Sequence, residues 1–298
     1  MEEKLIKKLI KKSSIPKNSE NFWARKSYDF LGKKEFEIIG EKQKPLRKAL
    51  VMAGGFGTRM KDLTKDMPKP MLKLQEKPIL DYSIELCKRY GINDISLSIF
   101  YMGEKIRKHY GNGSKHGISI RYVEEKEPLG TAGAMRLHKR WLSEPFLMCN
   151  ADELKDINLQ LMYEQHVKTG AAATIALTEV EDPSQYGVVA LDGKRIAFFV
   201  EKPKKEEAPS NLINAGLYII NPDVIKLVPP GYCMIERHIF PLLAEHGMLY
   251  GFPFKGQWFD TGTPERYAHA GSSWQGFKEP VRGKPVLRKF KLLENATP

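Results

Sequence analysis

Residues 49–72 read ALVMAGGFGTRMKDLTKDMPKPML, and the rest of the chain is interpreted outward from them. This stretch opens with Ala49-Leu50-Val51-Met52, an apolar run with the length of a buried strand. The segment GGFG at 54–57 follows, and glycine lets backbone N–H groups turn towards a bound anion because no Cβ blocks the approach. Arg59 adds a guanidinium whose forked donors match phosphate oxygens. These parts predict a strand that ends in a phosphate-binding loop.

The spacing of this loop separates it from more familiar loops. A tight turn after a strand is the plain structural interpretation. The dinucleotide fingerprint G-x-G-x-x-G and the P-loop triplet Gly-Lys-Ser/Thr both fail to match the residues after Gly57. The chain has instead G-G-x-G-T-R and, ten residues after Arg59, Lys69 between Pro68 and Pro70. The two prolines stiffen the backbone beside this lysine, so the stretch predicts a site for a polyphosphate.

Length and composition limit the class of protein. A chain of 298 residues with 42% hydrophobic content suits one large α/β domain, or one domain with appendages. We find neither the ~18–20 apolar residues of a membrane span nor the apolar core of a secretory signal. Cys87, Cys149 and Cys233 lie far apart and cannot pair off evenly. A reduced, cytoplasmic setting is therefore expected.

The net charge of +12 is carried mainly by the two ends of the chain. Residues 1–48 hold fourteen basic and seven acidic side chains, and residues 276–298 hold six and two. Residues 49–275 are left with a charge of +1. This central part has no RNA-binding aromatic motif or zinc-finger spacing. Nucleic acid is therefore not expected as the main ligand.

The first thirteen residues have the pattern of a basic amphipathic helix. Such a helix can bind an anionic membrane surface or a partner. Packing on the protein's own body, or on a second subunit in a homo-oligomer, is favoured because the apolar face spans only about three turns. Downstream, the aromatic residues Phe22, Trp23, Tyr28 and Phe30 are expected to dock on another surface.

Strands and helices are expected to alternate after the loop. Pro78 is typical of a first helical position, and the predicted helix runs to Tyr90. Residues 95–101 read as a strand, a short helix ends at Tyr110, and residues 118–123 read as another strand. This alternation indicates a parallel sheet with crossover helices, in which ligands lie beyond the carboxyl ends of the strands.

Three further segments carry chemistry. The segment EKEPLGTAGA at 125–134 either opens a helix after a glycine-rich turn or admits a flat ligand closely. A short strand at 146–149 precedes Asp152, which either points into the ligand cleft or caps a helix, as Asp156 also could. A hairpin at 186–189 and 195–200, turning through Asp192-Gly193, ends in a glutamate and a lysine, and a strand starts at Asn214.

Together these segments resemble the sugar-phosphate nucleotidyltransferases, enzymes that make nucleotide sugars. Five motifs stand in the expected order within about residues 47–270. The resemblance implies an α/β fold with a Rossmann-like mixed, mostly parallel sheet flanked by helices. It implies a nucleotidyltransferase domain over 47–275, between a basic extension at 1–46 and a basic tail at 276–298. The PLGTAGA segment looks most like the mannose-1-phosphate guanylyltransferase branch, whereas thymidylyl and uridylyl branches usually carry a glutamine near Glu125.

The same resemblance implies the substrates and roles of individual residues. The substrates would be a nucleoside triphosphate and a sugar 1-phosphate. The implied catalytic residues are Arg59, Lys69 and Lys202. The implied nucleotide-binding residues are Ala53, Gly54, Gly55, Gly57, Thr58, Glu125, Gly130 and Thr131. The implied sugar-phosphate residues are Gly187, Glu201, Lys202 and Asn214. Asp152 and Asp260 would bind Mg²⁺, although Ala151 stands where the family usually has glycine.

Other functions are compatible with parts of this pattern. A glucose-1-phosphate thymidylyl- or uridylyltransferase would share the reaction. A glycosyltransferase of similar architecture would not need the G-T-R and P-K-P elements. A non-catalytic regulatory subunit of the same fold would be expected to have lost Arg59, Lys69 or one of the two aspartates, and all are present.

Overall fold

The computed structural model describes residues 45–279, with the side chain of Lys61 outside the description. The predicted amphipathic helix and the aromatic residues between 22 and 30 lie outside the described part of the chain. The strands are β1 (Lys48–Ala53), β2 (Lys73–Leu74), β3 (Lys77–Pro78), β4 (Asp94–Ile99), β5 (Ser119–Glu124), β6 (Phe146–Asn150), β7 (Glu153–Lys155), β8 (Ala173–Glu179), β9 (Gly187–Asp192), β10 (Arg195–Glu201), β11 (Leu212–Ile220), β12 (Leu249–Pro253) and β13 (Trp258–Asp260). The α-helices are α1 (Ile79–Arg89), α2 (Gly103–Tyr110), α3 (Gly130–Leu137), α4 (Leu159–Thr169), α5 (Phe240–Glu245) and α6 (Pro264–Ser273).

A mixed sheet of nine strands organises the described residues, in the order β5-β4-β1-β6-β11-β8-β12-β10-β9. Its first part is parallel: β1 lies between β4 and β6, and β4 also pairs with β5. Leu50 packs into the core on one face of the sheet, whereas Ala49 and Val51 pack into the core on the other. Burial on both faces explains why this strand is an unbroken apolar run. The predicted α/β fold with a mixed sheet is confirmed.

The second part of the sheet is built largely from antiparallel pairs. Strand β11 is antiparallel to both β6 and β8, β12 is parallel to β8, and β9 and β10 form the predicted hairpin. The register of β11 shifts between Asn214 and Tyr218, where Gly216 has a φ of +60°. Val188 of β9 also reaches Ile213 of β11. The hairpin therefore folds back towards the centre of the sheet.

Several predicted boundaries move by a few residues. Helix α1 begins at Ile79, because Pro78 still belongs to β3 and precedes the helix. The strand predicted to reach residue 101 ends at Ile99, and Met102 adopts a φ of +50° just before α2. Asn214 is the third residue of β11 and does not open the strand. The chain leaves the sheet after Ile99, and residues 101 and 102 form the turn that precedes α2.

Two small sheets flank the main one, and one of them brings distant acids together. Strands β7 and β13 are antiparallel, with Asp260 opposite Glu153. Thr261 donates to the carbonyl oxygen of Asp152 from both its backbone N–H, at 3.2 Å, and its hydroxyl, at 2.8 Å. The ladder thus joins the segment after β6 to the segment before α6.

The segment after Gln275 remains attached to the body as far as it is described. The ring of Phe277 packs edge-on against Trp274, and the Arg89 guanidinium lies over the Phe277 ring. The Asp156 carboxylate accepts from the backbone N–H groups of residues 278 and 279. Asp156 therefore does not cap α4, whose N-cap is Asn158.

Two general expectations concern the whole chain. Between residues 45 and 279, no helix is both long and apolar enough to span a bilayer. The three cysteines are buried and form no disulfide. Burial raises the pKa of each of their thiols.

Candidate active site

A cleft of about 430 Å³ opens where β1 and β6 end. It lies at the carboxyl ends of parallel strands, as the sequence predicts. The cleft brings together the predicted residues Ala53, Gly54, Gly55, Gly57, Thr58, Arg59, Lys69, Glu125, Gly130, Thr131 and Asp152. Its volume is that of an ordinary small-molecule site.

The glycine-rich loop has one position with a left-handed backbone, Gly57, and one in tight contact with a side chain, Gly54. Gly57 has a φ of +64°, and a Cβ there would lie 3.0 Å from Thr64 and 3.2 Å from Lys69. A Cβ on Gly54 would lie 2.9 Å from a Glu125 carboxylate oxygen. The loop is therefore packed against both the lysine segment and the acid on the opposite wall, which leaves its outer side to the cleft.

Glu125 is held in a fixed orientation at the wall of the cleft. One of its oxygens accepts from the Ser98 hydroxyl and the other from the Leu129 N–H, each at 3.1 Å. Burial raises the pKa of Glu125, and these two hydrogen bonds act against the shift. Each carboxylate oxygen can accept more than one hydrogen bond, so the group keeps acceptor capacity for a ligand.

Lys69 and Asp152 form a close ion pair at the floor of the cleft. The Lys69 Nζ lies 2.6 Å from Asp152 Oδ2, and the lysine is buried. Burial opposes the charge on Asp152, but the charge and hydrogen bond of Lys69, with the charge of Lys155, outweigh it and lower the pKa of Asp152. The carboxylate is therefore ionised and already neutralised by a cation.

Asp260 is also bound by neighbouring donors. It accepts from Gly262 N–H at 2.8 Å, from the Tyr186 hydroxyl at 2.5 Å and from Arg266 at 3.2 Å. Helix α6 is capped by Thr263, whose hydroxyl accepts from the Arg266 N–H, so Asp260 is not its capping residue. Burial, followed by the hydrogen bond to Asp260, raises the pKa of Tyr186.

Gly262 marks the point where Asp260 approaches the cleft. A Cβ on Gly262 would lie 2.8 Å from Asp260 Oδ1 and 3.1 Å from Arg59 Nη2. Gly262 itself lines the cleft, although Asp260 does not. The Arg59 guanidinium and the Asp260 carboxylate therefore converge on one small space at its rim.

The donor set fits a magnesium ion that completes its shell with substrate oxygens. Among the described residues, no three His, Cys, Asp or Glu side chains gather as a metal cluster. Asp260 lies opposite Glu153 in the β7–β13 ladder, Thr261 beside it donates to the Asp152 carbonyl, and the Asp152 carboxylate already attracts the cationic Lys69. Mg²⁺ usually takes one or two protein carboxylates and shares phosphate oxygens, so two aspartates suffice.

The predicted sugar-phosphate residues form a second group that does not line the cleft. Glu201 lies opposite Gly187 in the β9–β10 hairpin, and its carboxylate is 3.7 Å from Lys202 Nζ. Burial raises the pKa of Glu201, against the charges of Lys202 and Arg237. Asn214 accepts from the Gly216 N–H and donates to the Tyr218 hydroxyl. Asn214 lies near the hairpin, because Ile213 beside it pairs with Val188 of β9.

Asn150 and Glu153 connect the two groups. Asn150 lines the cleft and donates to Glu153 at 2.8 Å. Glu153 also contacts the buried Lys155, at 3.2 Å, and accepts from the Trp258 ring N–H. A Cβ on Gly216 would come within 2.4 Å of both Glu153 oxygens. Glu153 was not predicted, although the tandem of acids at 152 and 153 was a visible signal.

Glu236 was also missed, and no local pattern could have found it. It lies in a π-helical turn over Ile235–Ile239 and accepts from the Thr131 hydroxyl at 2.7 Å. Thr131 in turn accepts from the Ile235 N–H. Burial raises the pKa of Glu236 to about 7. A lone glutamate is usually expected at the protein surface, and only its tertiary contact with Thr131 reveals that it is buried.

Comparisons with known proteins show the family to which the chain belongs. The sequence model of the family described as nucleotidyl transferase matches residues 48–275. The chain is 40% identical over 226 residues to the mannose-1-phosphate guanylyltransferase catalytic subunit beta of Danio rerio, covering 74% of this chain and 62% of that relative. The chain thus spans less than two thirds of that relative's length.

Solved structures share the fold. HddC from Yersinia pseudotuberculosis, complexed with GMP-PN, has a TM-score of 0.66 at 27% identity, covering 76% of this chain and 99% of that one. A UDP-glucose pyrophosphorylase complexed with UDP-glucose has a TM-score of 0.67 at 27% identity, covering 76% and 97%. The family match spans the elements that carry the cleft, from β1 to α6. The chain belongs to the nucleotidyl transferase family.

Proposed function

We propose that the protein transfers a nucleotidyl group from a nucleoside triphosphate to a sugar 1-phosphate, with GTP and mannose 1-phosphate as the substrate pair. The observation that carries the proposal is the Lys69–Asp152 ion pair, 2.6 Å long, at the floor of a glycine-walled cleft. It provides one phosphate-binding cation and one metal-binding carboxylate at the same point.

The chemistry needs positioning and charge more than acid–base catalysis. A phosphate oxygen of the sugar 1-phosphate attacks the α-phosphorus, the bond to the β-phosphate breaks, and pyrophosphate leaves. The nucleophile is already anionic near neutral pH, so no general base is required. In the proposal, Arg59 and Lys69 neutralise the triphosphate and the leaving group, and Lys202 holds the attacking phosphate.

Proteins of this family generally use a divalent metal. We propose that Asp152 and Asp260 hold Mg²⁺ here, because Asp260 lies opposite Glu153 in the β7–β13 ladder and its neighbour Thr261 donates to the Asp152 carbonyl. The ion would supply neutralisation of phosphate charge and polarisation of a phosphoryl oxygen. Arg59, whose guanidinium converges with Asp260 beside Gly262, would add positive charge at the same rim.

The choice of guanine rests on Glu125. An ionised carboxylate only accepts hydrogen bonds, and guanine offers two adjacent N–H donors on its Watson–Crick edge. The fixed orientation of Glu125 by Ser98 and Leu129 supports such pairing. The name of the Danio rerio relative supports mannose 1-phosphate as the acceptor. The three cysteines are buried and form no disulfide, which supports a reducing, cytoplasmic setting.

A pyrophosphate-release screen tests the proposal. The four ribonucleoside triphosphates and dTTP are each combined with mannose 1-phosphate and with glucose 1-phosphate, with and without Mg²⁺. Release is expected only when triphosphate, sugar phosphate and metal are all present, and fastest for GTP with mannose 1-phosphate. A preference for dTTP or UTP would replace the substrate pair. A folded protein that binds nucleotide but is inactive across the matrix would point to the regulatory subunit.

A further inference from the structure

The aromatic residues that line the cleft, Phe56, Phe100 and Tyr232, have no role in the function proposed so far. Among the large apolar side chains that stay strongly exposed within residues 45–279, three are aromatic: Phe56 at 47%, Phe198 at 55% and Tyr232 at 52%. Phe56 and Tyr232 line the cleft, and Phe198 does not. Phe56 packs against the rings of Phe100 and Tyr101. The exposed ring of Tyr232 is available to whatever the cleft binds.

The backbone on the C-terminal side of Tyr232 is tied to the start of α3. The Cys233 N–H donates to the Leu129 carbonyl at 2.8 Å. The Cys233 carbonyl accepts from the N–H groups of Ala132 and Gly133 at 2.9 and 3.0 Å. Residue 232 therefore cannot move away from this helix without breaking three backbone hydrogen bonds.

Close packing on both sides of Tyr232 confirms this attachment. A Cβ on Gly133 would lie 2.5 Å from the Gly231 carbonyl oxygen, and a Cβ on Gly130 would lie 2.7 Å from that of Cys233. Only glycine at 130 and 133 allows the segment to lie so near. Tyr232 is therefore fixed on the wall that carries Gly130 and Thr131, so little backbone entropy is lost when a ligand contacts its ring.

Tyr232 and the cations of the cleft are attached to different segments of the chain. Arg59 follows the glycine-rich loop and Lys69 packs against Gly57, whereas the backbone beside Tyr232 is tied to the segment that carries Gly130 and Thr131. Glu125 is tied to the same segment through the Leu129 N–H. A flat apolar ring beside a hydrogen-bond acceptor suits a heterocyclic base, which has a π-face and polar edges.

We propose that the Tyr232 ring stacks on the nucleobase of the bound triphosphate and positions its edge for Glu125. The inference deepens the proposed function and rests on it. Stacking of a base on an aromatic side chain is worth about 1–3 kcal/mol by alanine substitution, so its loss weakens binding about 5- to 150-fold. Purines, with the larger face, should lose more than pyrimidines.

The experiment compares four variants of the full chain: Tyr232→Ala, Tyr232→Phe, Tyr232→Trp and, as a matched control, Phe198→Ala. Nucleotide affinity is measured by calorimetry with GTP and with CTP, and circular dichroism checks folding. Tyr232→Ala should weaken GTP binding by about 5- to 150-fold, and CTP binding by less. Tyr232→Phe and Phe198→Ala should bind like wild type. In Tyr232→Trp, the added indole fluorescence should be quenched by GTP.

The outcomes distinguish the inference from the function beneath it. Wild-type protein that binds no nucleoside triphosphate would overturn both. Equal GTP affinity for wild type and Tyr232→Ala would overturn the stacking role alone, as would equal losses in the Phe and Ala variants, because the hydroxyl and not the ring would then matter. Absence of quenching in a Tyr232→Trp variant that binds GTP would also overturn it.

Discussion

The proposed nucleotide side and the proposed sugar side of this molecule, called below the nucleotide side and the sugar side, differ in their access to the cleft. On the nucleotide side, parallel strands end at an open cleft, and Arg59 and the glycine loop face it directly. On the sugar side, antiparallel strands hold Glu201 against Lys202 and Asn214 against Tyr218. The first side therefore opens into the cleft, whereas the second side lies outside it, with its polar side chains in contact with protein groups.

The two aspartates at the boundary between the sides are each paired with a cation of the protein. Asp152 is paired with Lys69, and Asp260 with Arg266. Each candidate metal ligand is thus neutralised by a protein cation, which removes the cost of an unpaired carboxylate. A divalent ion and its phosphates would have to take over these pairings, and the freed lysine could then move to the triphosphate.

The largest expected effect comes from removing either aspartate. Asp152→Asn and Asp260→Asn should each lower kcat by about a thousandfold, because either change disables the same ion and its charge neutralisation. The double variant should be scarcely worse than either single one, since the two residues act as a unit. Steady-state kinetics at several Mg²⁺ concentrations measures this.

Additive losses of kcat in the double variant would contradict a shared metal site for the two aspartates. If the double variant lost the product of the two single effects, the aspartates would serve separate functions, one on each side. Asp260 would then be a structural acceptor for Tyr186 and Arg266. A melting curve for each variant guards against a loss of fold.

Glu236 connects the two sides and predicts a pH dependence of stability. It accepts from Thr131 on the nucleotide side and feels the charges of Glu201 and Lys202 on the sugar side. Burial raises its pKa from 4.5 to about 7, so the folded state keeps a proton that the unfolded chain has lost. The stability from this proton is fully present below pH 4.5 and is lost as the pH rises through about 7.

Glu236→Gln should remove this dependence. Relative to wild type, the free energy of unfolding of the variant should rise by about 2–3 kcal/mol between pH 5 and pH 8. Urea denaturation at the two pH values measures it. The exposed Glu206→Gln is the matched control and should follow wild type. If the free energy of unfolding of Glu236→Gln changes with pH as that of wild type does, the Glu236 carboxyl takes up no extra proton on folding, and the prediction is wrong.

Lys69 and Lys202 test the two sides separately. Losing a charge-assisted phosphate contact costs about 1.5–3 kcal/mol, or roughly tenfold to a hundredfold in binding. Lys69→Ala should raise the KM for the triphosphate, and Lys202→Ala the KM for the sugar 1-phosphate. Lys204→Ala, an exposed neighbour paired only at the surface, should change neither.

The same kinetic defect in Lys69→Ala and Lys202→Ala would contradict separate roles for the two sides. If both variants raised only the triphosphate KM, Lys202 would not bind the sugar phosphate. The positive φ of Lys202, +51°, would then reflect the exit of the chain from β10 and not a binding conformation.

Local pattern predicted a loop and neighbouring residues that line one cleft, and long-range pairing explains where prediction stopped. The glycine loop, Arg59 and Lys69 are close in sequence, so spacing alone places them together. The insertion of β11 between β6 and β8 depends on strand order, which no local segment encodes. The contact of Tyr186 with Asp260 joins residues 74 positions apart and likewise appears only in the fold.

The smallest effect is expected from the N-terminal extension. Every candidate site residue lies after residue 52, so deletion of residues 1–44 should leave kcat and both KM values within about twofold of wild type. The cut stops at 44 because Leu46 is buried in the core and the Arg47 carbonyl accepts from Asp94.

A longer deletion, which removes part of β1, serves as the control for this prediction. Removing residues 1–50 takes away half of β1, which is buried between β4 and β6, and should prevent folding. Circular dichroism and the pyrophosphate assay compare the two truncations. A folded 45–298 protein that is inactive would show that the extension contributes to one of the two sides. The substrate whose KM rose in partial truncations would then identify that side.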